Sequence, residues 1–203
     1  MRIIKSAAKL ITLIVFTAAS LGACTSSQFL KVHYQLPAEA PALEGIMVNL
    51  SFKDMRRNKA ILSKAAREDL SDFSETFTLV SGPAGAEGKL LGAYALEPLV
   101  QEIFSQRLQH SGVKVVEKKD SSVQLEIALK AFRLDLISRQ WIFNMDYQLN
   151  LYKNAKLVAT ESISGNAERV KTLGSREADK VISELVTDMV NRLDVAAFLR
   201  QAG

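Results

Sequence analysis

The chain has 203 residues, of which 48% are hydrophobic and 24% are charged, and its formal net charge is +4. A chain of this length can bury roughly 70% of its unfolded surface in one domain. Three positive charges, Arg2, Lys5 and Lys9, lie in the first 23 residues, so the remainder carries only +1. A nucleic-acid role thus loses its electrostatic support, because phosphate backbones require a basic stripe, and we expect no nucleic-acid partner.

The first 23 residues are typical of an export signal. Residues 1–9 hold the three basic side chains and no acid, and residues 10–23 are an uncharged run of apolar and small side chains. The run is shorter than the ~20 residues that a helix needs to cross a bilayer, so a permanent membrane span is the weaker alternative. We therefore predict that residues 1–23 are a cleaved signal peptide.

Cys24 is the only cysteine, so no disulfide can support the fold. The preceding Leu21, Gly22 and Ala23 resemble the bacterial lipobox, in which the cysteine sulfur receives diacylglycerol, the signal is removed and the new N-terminus is acylated. The resemblance implies that Cys24 is lipidated, the alternative being a chance cysteine after an ordinary signal peptide. Three acyl chains anchor permanently, because each buried CH₂ contributes about 0.8 kcal/mol. By resemblance to enterobacterial lipoproteins, Thr25 after the cysteine favours the outer membrane, with the protein facing the periplasm.

The N-terminal part of the mature chain is predicted to be a lipidated N-terminus and linker over residues 24–44, followed by a single α/β domain over residues 45–203. Pro37 and Pro41 favour extended backbone in the linker, and only "FLKVHY" suggests a short strand. The segment "GIMVNLSF" predicts a first core strand, because its apolar residues alternate with polar ones.

The middle of the chain combines strands with one firm helix. Residues 53–73 are rich in charge, "SETFTLVS" predicts a strand, and residues 82–95 form a Gly/Ala-rich loop. From Leu96 an apolar stripe with helical spacing continues to Leu108, and Gly112 is placed to end that helix. If "VKVV" joined the same sheet as "SETFTLVS", the segment would be a βαβ crossover.

The C-terminal half predicts an antiparallel meander and a second long helix. The apolar phase of "VQLEIALKAFRLDLI" shifts after Leu129, which indicates a β-bulge. Two further strands follow, joined by the turn "KNAK". Ser175 can cap a helix whose inner stripe runs from Ile182 to Leu193, and Asp194 can cap a last short turn. The predicted class is α/β (α+β), a two-layer sandwich of one mixed or antiparallel sheet with two long amphipathic helices.

The order of these elements resembles the YajG-like family of bacterial outer-membrane lipoproteins and, more distantly, the auxiliary lipoproteins of ABC-type lipid transporters. The matching pieces are the lipobox, "GIMVNLSF" followed by Asp54-Met55-Arg56, "LEPLVQEIFSQRLQHSGVKVV", "VQLEIALKAFRLDL" and "ADKVISELVTDMVNRLDVAAFLRQ". The Asp-x-Arg after the first strand is the most distinctive local match. The resemblance implies location and fold but little mechanism, and residues 82–95 depart most from the family pattern.

No motif identifies a reaction. The glycines between Gly82 and Lys89 lack the Walker spacing, there is no Gly-x-Ser-x-Gly elbow, and His33 and His110 are the only histidines. We expect no catalytic residue, no metal and no cofactor other than the lipid on Cys24.

Asp54 and Arg56 are the candidate site residues besides Cys24. Their spacing of two in extended backbone places both on one face just after a core strand, where they brace the structure or contact a ligand or partner.

The predicted function is that of a non-enzymatic, outer-membrane-anchored accessory or assembly factor that contacts another envelope protein. The alternative is a lipid-handling auxiliary component of an ABC-type envelope transport system. The two functions require different interiors. An accessory factor requires only a filled core, whereas a lipid-handling component requires an acyl-chain cavity, which would open beside residues 82–95. We expect the filled core, because the helix stripes match the sheet face of Trp141, Phe143, Met145 and Tyr147.

Overall fold

A computed structural model describes residues 28–38, 43, 45–117, 121–172 and 176–202. The predicted signal peptide, the predicted lipidation site Cys24 and the predicted helix cap Ser175 lie outside the described residues.

The described residues form eight strands and four helices. The strands are β1 (Gln28–Leu36), β2 (Met47–Asp54), β3 (Phe73–Pro83), β4 (Lys89–Tyr94), β5 (Lys114–Val116), β6 (Val123–Ile137), β7 (Gln140–Lys153) and β8 (Lys156–Val170). The helices are α1 (Lys64–Asp69), α2 (Leu96–His110), α3 (Glu177–Asn191) and α4 (Val195–Arg200).

The strands are divided between two mixed sheets. A five-stranded sheet has the order β5-β2-β6-β7-β8, in which β2 is parallel to both of its neighbours and β6, β7 and β8 are antiparallel. A three-stranded sheet has the order β1-β3-β4, in which β1 and β3 are parallel and β4 is antiparallel to β3. The two sheets share one core.

The predicted meander is present, and its turns follow from the sequence. Ser138 and Arg139 join β6 to β7, and Asn154 and Ala155 join β7 to β8, all four with positive φ. Two-residue hairpin turns of type I′ require two successive residues with positive φ. The predicted bulge is also confirmed, because the register of β6 against β7 shifts at Lys130, between Leu129 and Ala131.

The core consists of the predicted apolar stripes. Both helix stripes are buried, as is the face of β7 that carries Trp141, Phe143, Met145 and Tyr147. The Phe132 ring meets the Phe77 ring of the other sheet edge-on, with centroids 5.6 Å apart. Edge-to-face pairs of this kind stabilise a core beyond the area that they bury. As predicted, Gly112 follows the end of α2 with φ of +81°.

The α+β class is confirmed, but the strands do not share a single sheet. β3 and β5 lie in different sheets, so the segment from "SETFTLVS" to "VKVV" is not a βαβ crossover. An apolar period of two identifies a strand and its buried face, whereas the pairing partner depends on contacts distant in sequence.

Residues 82–95 form a hairpin rather than a loop. β3 continues to Pro83 and β4 begins at Lys89, with a turn in which Gly85 has φ of +78°. A Cβ on Gly82 would lie 2.7 Å from the Cα of Gly88, so glycine permits this close approach of the two strands.

The folded part of the chain also extends upstream of residue 45. The strand suggested by "FLKVHY" is present as β1, within the predicted linker over residues 24–44, and it pairs with β3.

Candidate functional site

The most elaborate polar arrangement among the described residues joins α3 to the edge of β1. Asp179, Ser183, Thr187 and Asn191 recur at every fourth position of α3 and contact the backbone of β1. Four helical residues rise about 6 Å and two strand residues about 6.6 Å, so the two repeats nearly match. We call these four residues the α3 ladder.

The α3 ladder provides hydrogen bonds that another strand would otherwise supply. The N–H groups of Lys31, His33 and Gln35 donate to Asp179 Oδ1, Ser183 Oγ and Thr187 Oγ1 at 2.9, 2.9 and 3.1 Å. Asn191 Nδ2 in turn donates to the carbonyl of Gln35 at 2.8 Å. The edge of β1 is therefore satisfied by side chains and is not open to strand addition.

A groove of about 530 Å³ runs beside this contact. Alternation along β1 places Leu30, Val32 and Tyr34 in the core, so the intervening residues face outward. The groove is lined by Lys31, His33, Gln35, Arg176, Asp179, Lys180, Ser183, Glu184, Thr187 and Asp188. We call it the β1–α3 groove.

The charges around the β1–α3 groove are balanced by local pairs. Lys180 Nζ lies 2.8 Å from Glu177 Oε1, and Asp188 pairs with Arg192. Burial raises the pKa of Asp179, against the opposing effects of the Lys31 N–H and of Arg176, with which Asp179 forms an ion pair. Balanced pairs suit contact with a mixed polar surface better than binding of a strongly charged small ligand.

The two histidines have different surroundings. His33 lines the groove, but its Nε2 is buried without a hydrogen-bond partner among the described residues. A Cβ on Gly88 would come within 2.9 Å of that nitrogen, so the β3–β4 hairpin covers the ring closely. His110 is exposed, with Nε2 2.9 Å from the carbonyl oxygen of Pro37. In the described part of the chain, no three His, Cys, Asp or Glu side chains converge as metal ligands.

Asp54 and Arg56 lie together, as their spacing predicts. Arg56 Nε and one terminal nitrogen donate to the two carboxylate oxygens of Asp54 at 3.1 and 3.0 Å, and the Arg56 N–H donates to Oδ1 at 3.0 Å. The same guanidinium reaches the carbonyl of Lys59 at 3.1 Å. Hydrogen bonding from Arg56 holds the pKa of Asp54 well below its usual range. With Arg56 buried and committed to these partners, the geometry favours bracing over ligand contact.

The region predicted to distinguish the two functions is filled. The gap between the helices and the sheet has no volume for a water molecule. It is lined by Val100, Ile103, Phe104, Phe132, Met145, Val186 and Val190. The Phe104 and Tyr147 rings meet edge-on at 5.2 Å beside it, and the Tyr147 hydroxyl donates to the Met189 carbonyl at 2.9 Å. The packing of helix and sheet at this position leaves no room for an acyl chain.

The α3 ladder was not predicted, although the sequence carries a signal for it. Asp, Ser, Thr and Asn are weak helix formers, and their repetition every four residues beside the apolar stripe of the helix indicates that they bond something outside it. Among the helices of the described ranges, none is long and apolar enough to cross a bilayer.

No protein-family model matches the chain, and no curated protein matches it by sequence. Solved structures are similar to it at low identity. A protein of Xanthomonas campestris from the DUF330 family has a TM-score of 0.54 and 12% identity, over 87% of this chain and 99% of that chain. Rare lipoprotein B from Shewanella oneidensis has a TM-score of 0.40 and 11% identity, over 71% and 89%. Lipoprotein GNA1162 from Neisseria meningitidis has a TM-score of 0.32 and 12% identity, over 72% and 96%.

The fold thus defines the class: an α+β domain of the kind present in the DUF330 protein of Xanthomonas campestris. At this identity the likeness concerns the fold and not an activity.

Proposed function

We propose that the chain is a bacterial lipoprotein, anchored in the outer membrane through lipid on Cys24, that acts in the periplasm as a non-enzymatic accessory or assembly factor. The observation that carries the proposal is the lipobox, in which Leu21, Gly22 and Ala23 precede the sole cysteine after a basic and then apolar segment. We also propose that the chain belongs to the YajG-like family.

We assign the protein contact to the β1–α3 groove. Lys31 and Gln35 stand on the outer face of β1, and the groove between them and α3 combines aliphatic stems with ion pairs that are already balanced. Contacts between proteins use such mixed surfaces, whereas catalysis requires an arranged nucleophile, acid or base. The contact partner is another envelope protein.

Photo-cross-linking in intact cells tests the contact. A photoreactive residue at Lys31 or Gln35 of the full chain should give a discrete adduct with a second protein. The same residue at Lys64, exposed at the start of α1, is the control and should not give that adduct. Absence of an adduct from both groove positions, or an equal adduct from Lys64, would contradict the assignment.

The lipid-handling alternative predicts a bound acyl chain. The filled region around Phe104 and Tyr147 supports the contact function over this alternative. Native mass spectrometry of the full chain in lipid-free detergent is the discriminating measurement. We expect the mass of the chain with its covalent lipid only. A stoichiometric, non-covalent phospholipid or fatty acid would establish the alternative.

A further inference from the structure

β8 differs from every other sheet edge in the described structure. It is a 15-residue edge strand that pairs with β7 along one side, and no described backbone group bonds its other side. By contrast, the edge of β1 is covered by the α3 ladder, and the edge strands β4 and β5 have 6 and 3 residues. A long unpaired edge is a template for another strand.

The two faces of β8 restrict how a further strand can pair. Odd-numbered residues from Ala159 to Arg169 face the core side, where a Cβ on Gly165 would lie 3.2 Å from Leu185 Cδ1 and Met189 Sδ of α3. Even-numbered residues from Thr160 to Val170 are exposed. A pairing that keeps both core faces on one side must therefore place odd residues opposite odd residues.

The charges on the core side of β8 are symmetric about Gly165. Glu161 lies four residues before this glycine and Arg169 four residues after it. Glu161 is half-buried and has no hydrogen bond or ion pair within the described ranges. Burial raises its pKa, and the charge of Asp194 adds to this effect. Arg169 pairs with two carboxylates of α3, one of which, Glu177, is also paired with Lys180.

We propose that β8 pairs antiparallel with β8 of a second copy of this chain, about a two-fold axis at Gly165. Each Glu161 then lies opposite Arg169 of the second copy, and the two five-stranded sheets become one continuous sheet. Centring the axis on residue 164 would leave Glu161 opposite Ala167, and centring it on residue 166 would leave Arg169 opposite Ile163. Charged side chains on the core side of an edge strand disfavour pairing with a strand that carries no opposite charge at the same position. In this register, a second copy of β8 places the opposite charge against both Glu161 and Arg169. The inference does not depend on the lipid anchor or on the partner protein.

Disulfide trapping in intact cells tests the register on the full chain. The axis at Gly165 places Ser164 opposite Asn166 of the second copy, within the Cα separation that a disulfide requires. The double variant Ser164→Cys/Asn166→Cys should therefore form a covalent dimer on oxidation. The matched control is Thr160→Cys/Ser162→Cys on the same exposed face, whose closest approach across the axis is about 20 Å. The chain without added cysteines is a further control. A covalent dimer of this chain would come from an unlipidated Cys24, so a failure of the lipid anchor is distinguished from a failure of the β8 pairing.

Charge reversal tests the symmetry. Glu161→Lys in the trapping variant should lower the dimer yield about tenfold, because two like-charge contacts replace two opposite-charge contacts. Glu168→Lys makes the same change of net charge opposite Ser162 and should preserve the yield. Thermal melting shows whether each variant is folded, and the isosteric Glu161→Gln should lower the yield severalfold. Dimer formation by the control pair at the same rate, absence of dimer from the first pair, or equal losses for Glu161→Lys and Glu168→Lys would overturn the proposal.

Discussion

At the scale of single residues, the clearest role is that of Asp54. Its carboxylate accepts from the backbone and guanidinium of Arg56, and Lys59 Nζ lies 2.9 Å from it. The sequence placed both charges at the end of a core strand and left bracing and ligand contact open. The structure adds the burial of Arg56, which spacing alone cannot predict because it depends on how the following residues close over the guanidinium.

Asp54→Asn is predicted to lower the free energy of unfolding by about 1–2 kcal/mol at pH 7, since the amide NH2 cannot accept from Arg56 as the second carboxylate oxygen does, and the remaining hydrogen bonds lose the negative charge of their acceptor. The folded-state pKa of Asp54 is depressed by Arg56, so this stability is present above the unfolded pKa of about 4 and is lost as pH falls through the folded value. The difference between wild type and variant should therefore shrink between pH 5 and pH 2. Urea titrations across that range measure it. Asp72→Asn, at an exposed carboxylate, is the control, and a difference that grows in acid would contradict the account.

At the scale of elements, the sequence predicted those features that depend on local periodicity. The stripes of α2 and α3, the meander, its bulge and the Asp194 cap of α4 follow from apolar spacing and turn residues, and all are present. The hairpin within residues 82–95 was not predicted, because its glycines and alanines give no clear alternation of apolar and polar residues. The division into two sheets was missed because β1 and β3 pair across more than 40 residues.

The α3 ladder can be tested by removing one of its hydrogen bonds. Ser183→Ala leaves the His33 N–H without its acceptor and should lower the free energy of unfolding by about 1 kcal/mol. Ser105→Ala on α2 is the matched control, because it gains the same helix propensity and loses only an exposed contact with Gln109. Chemical denaturation of both variants measures the contrast. Equal stabilities for the two variants would mean that water replaces the ladder at no cost.

At the scale of the whole molecule, the helices and the five-stranded sheet pack together into a closed core. Leu149 is fully buried on the same face of β7 as Phe143 and Tyr147. Leu149→Trp should therefore overpack the core and lower the free energy of unfolding by about 1–3 kcal/mol. Leu157→Trp, at a side chain 56% exposed, is the control and should change stability little. A Leu149→Trp variant as stable as wild type would reveal space that an acyl chain could occupy.

Labelling with a fatty acid tests the lipid anchor at Cys24, on which the proposed location and function depend. Cells that express the full chain are grown with a radioactive fatty acid, and the purified protein is examined for covalent label. We predict label on the wild-type protein and none on Cys24→Ser, which should persist as an uncleaved precursor. Label retained on Cys24→Ser, or a wild-type protein without label, would contradict the account.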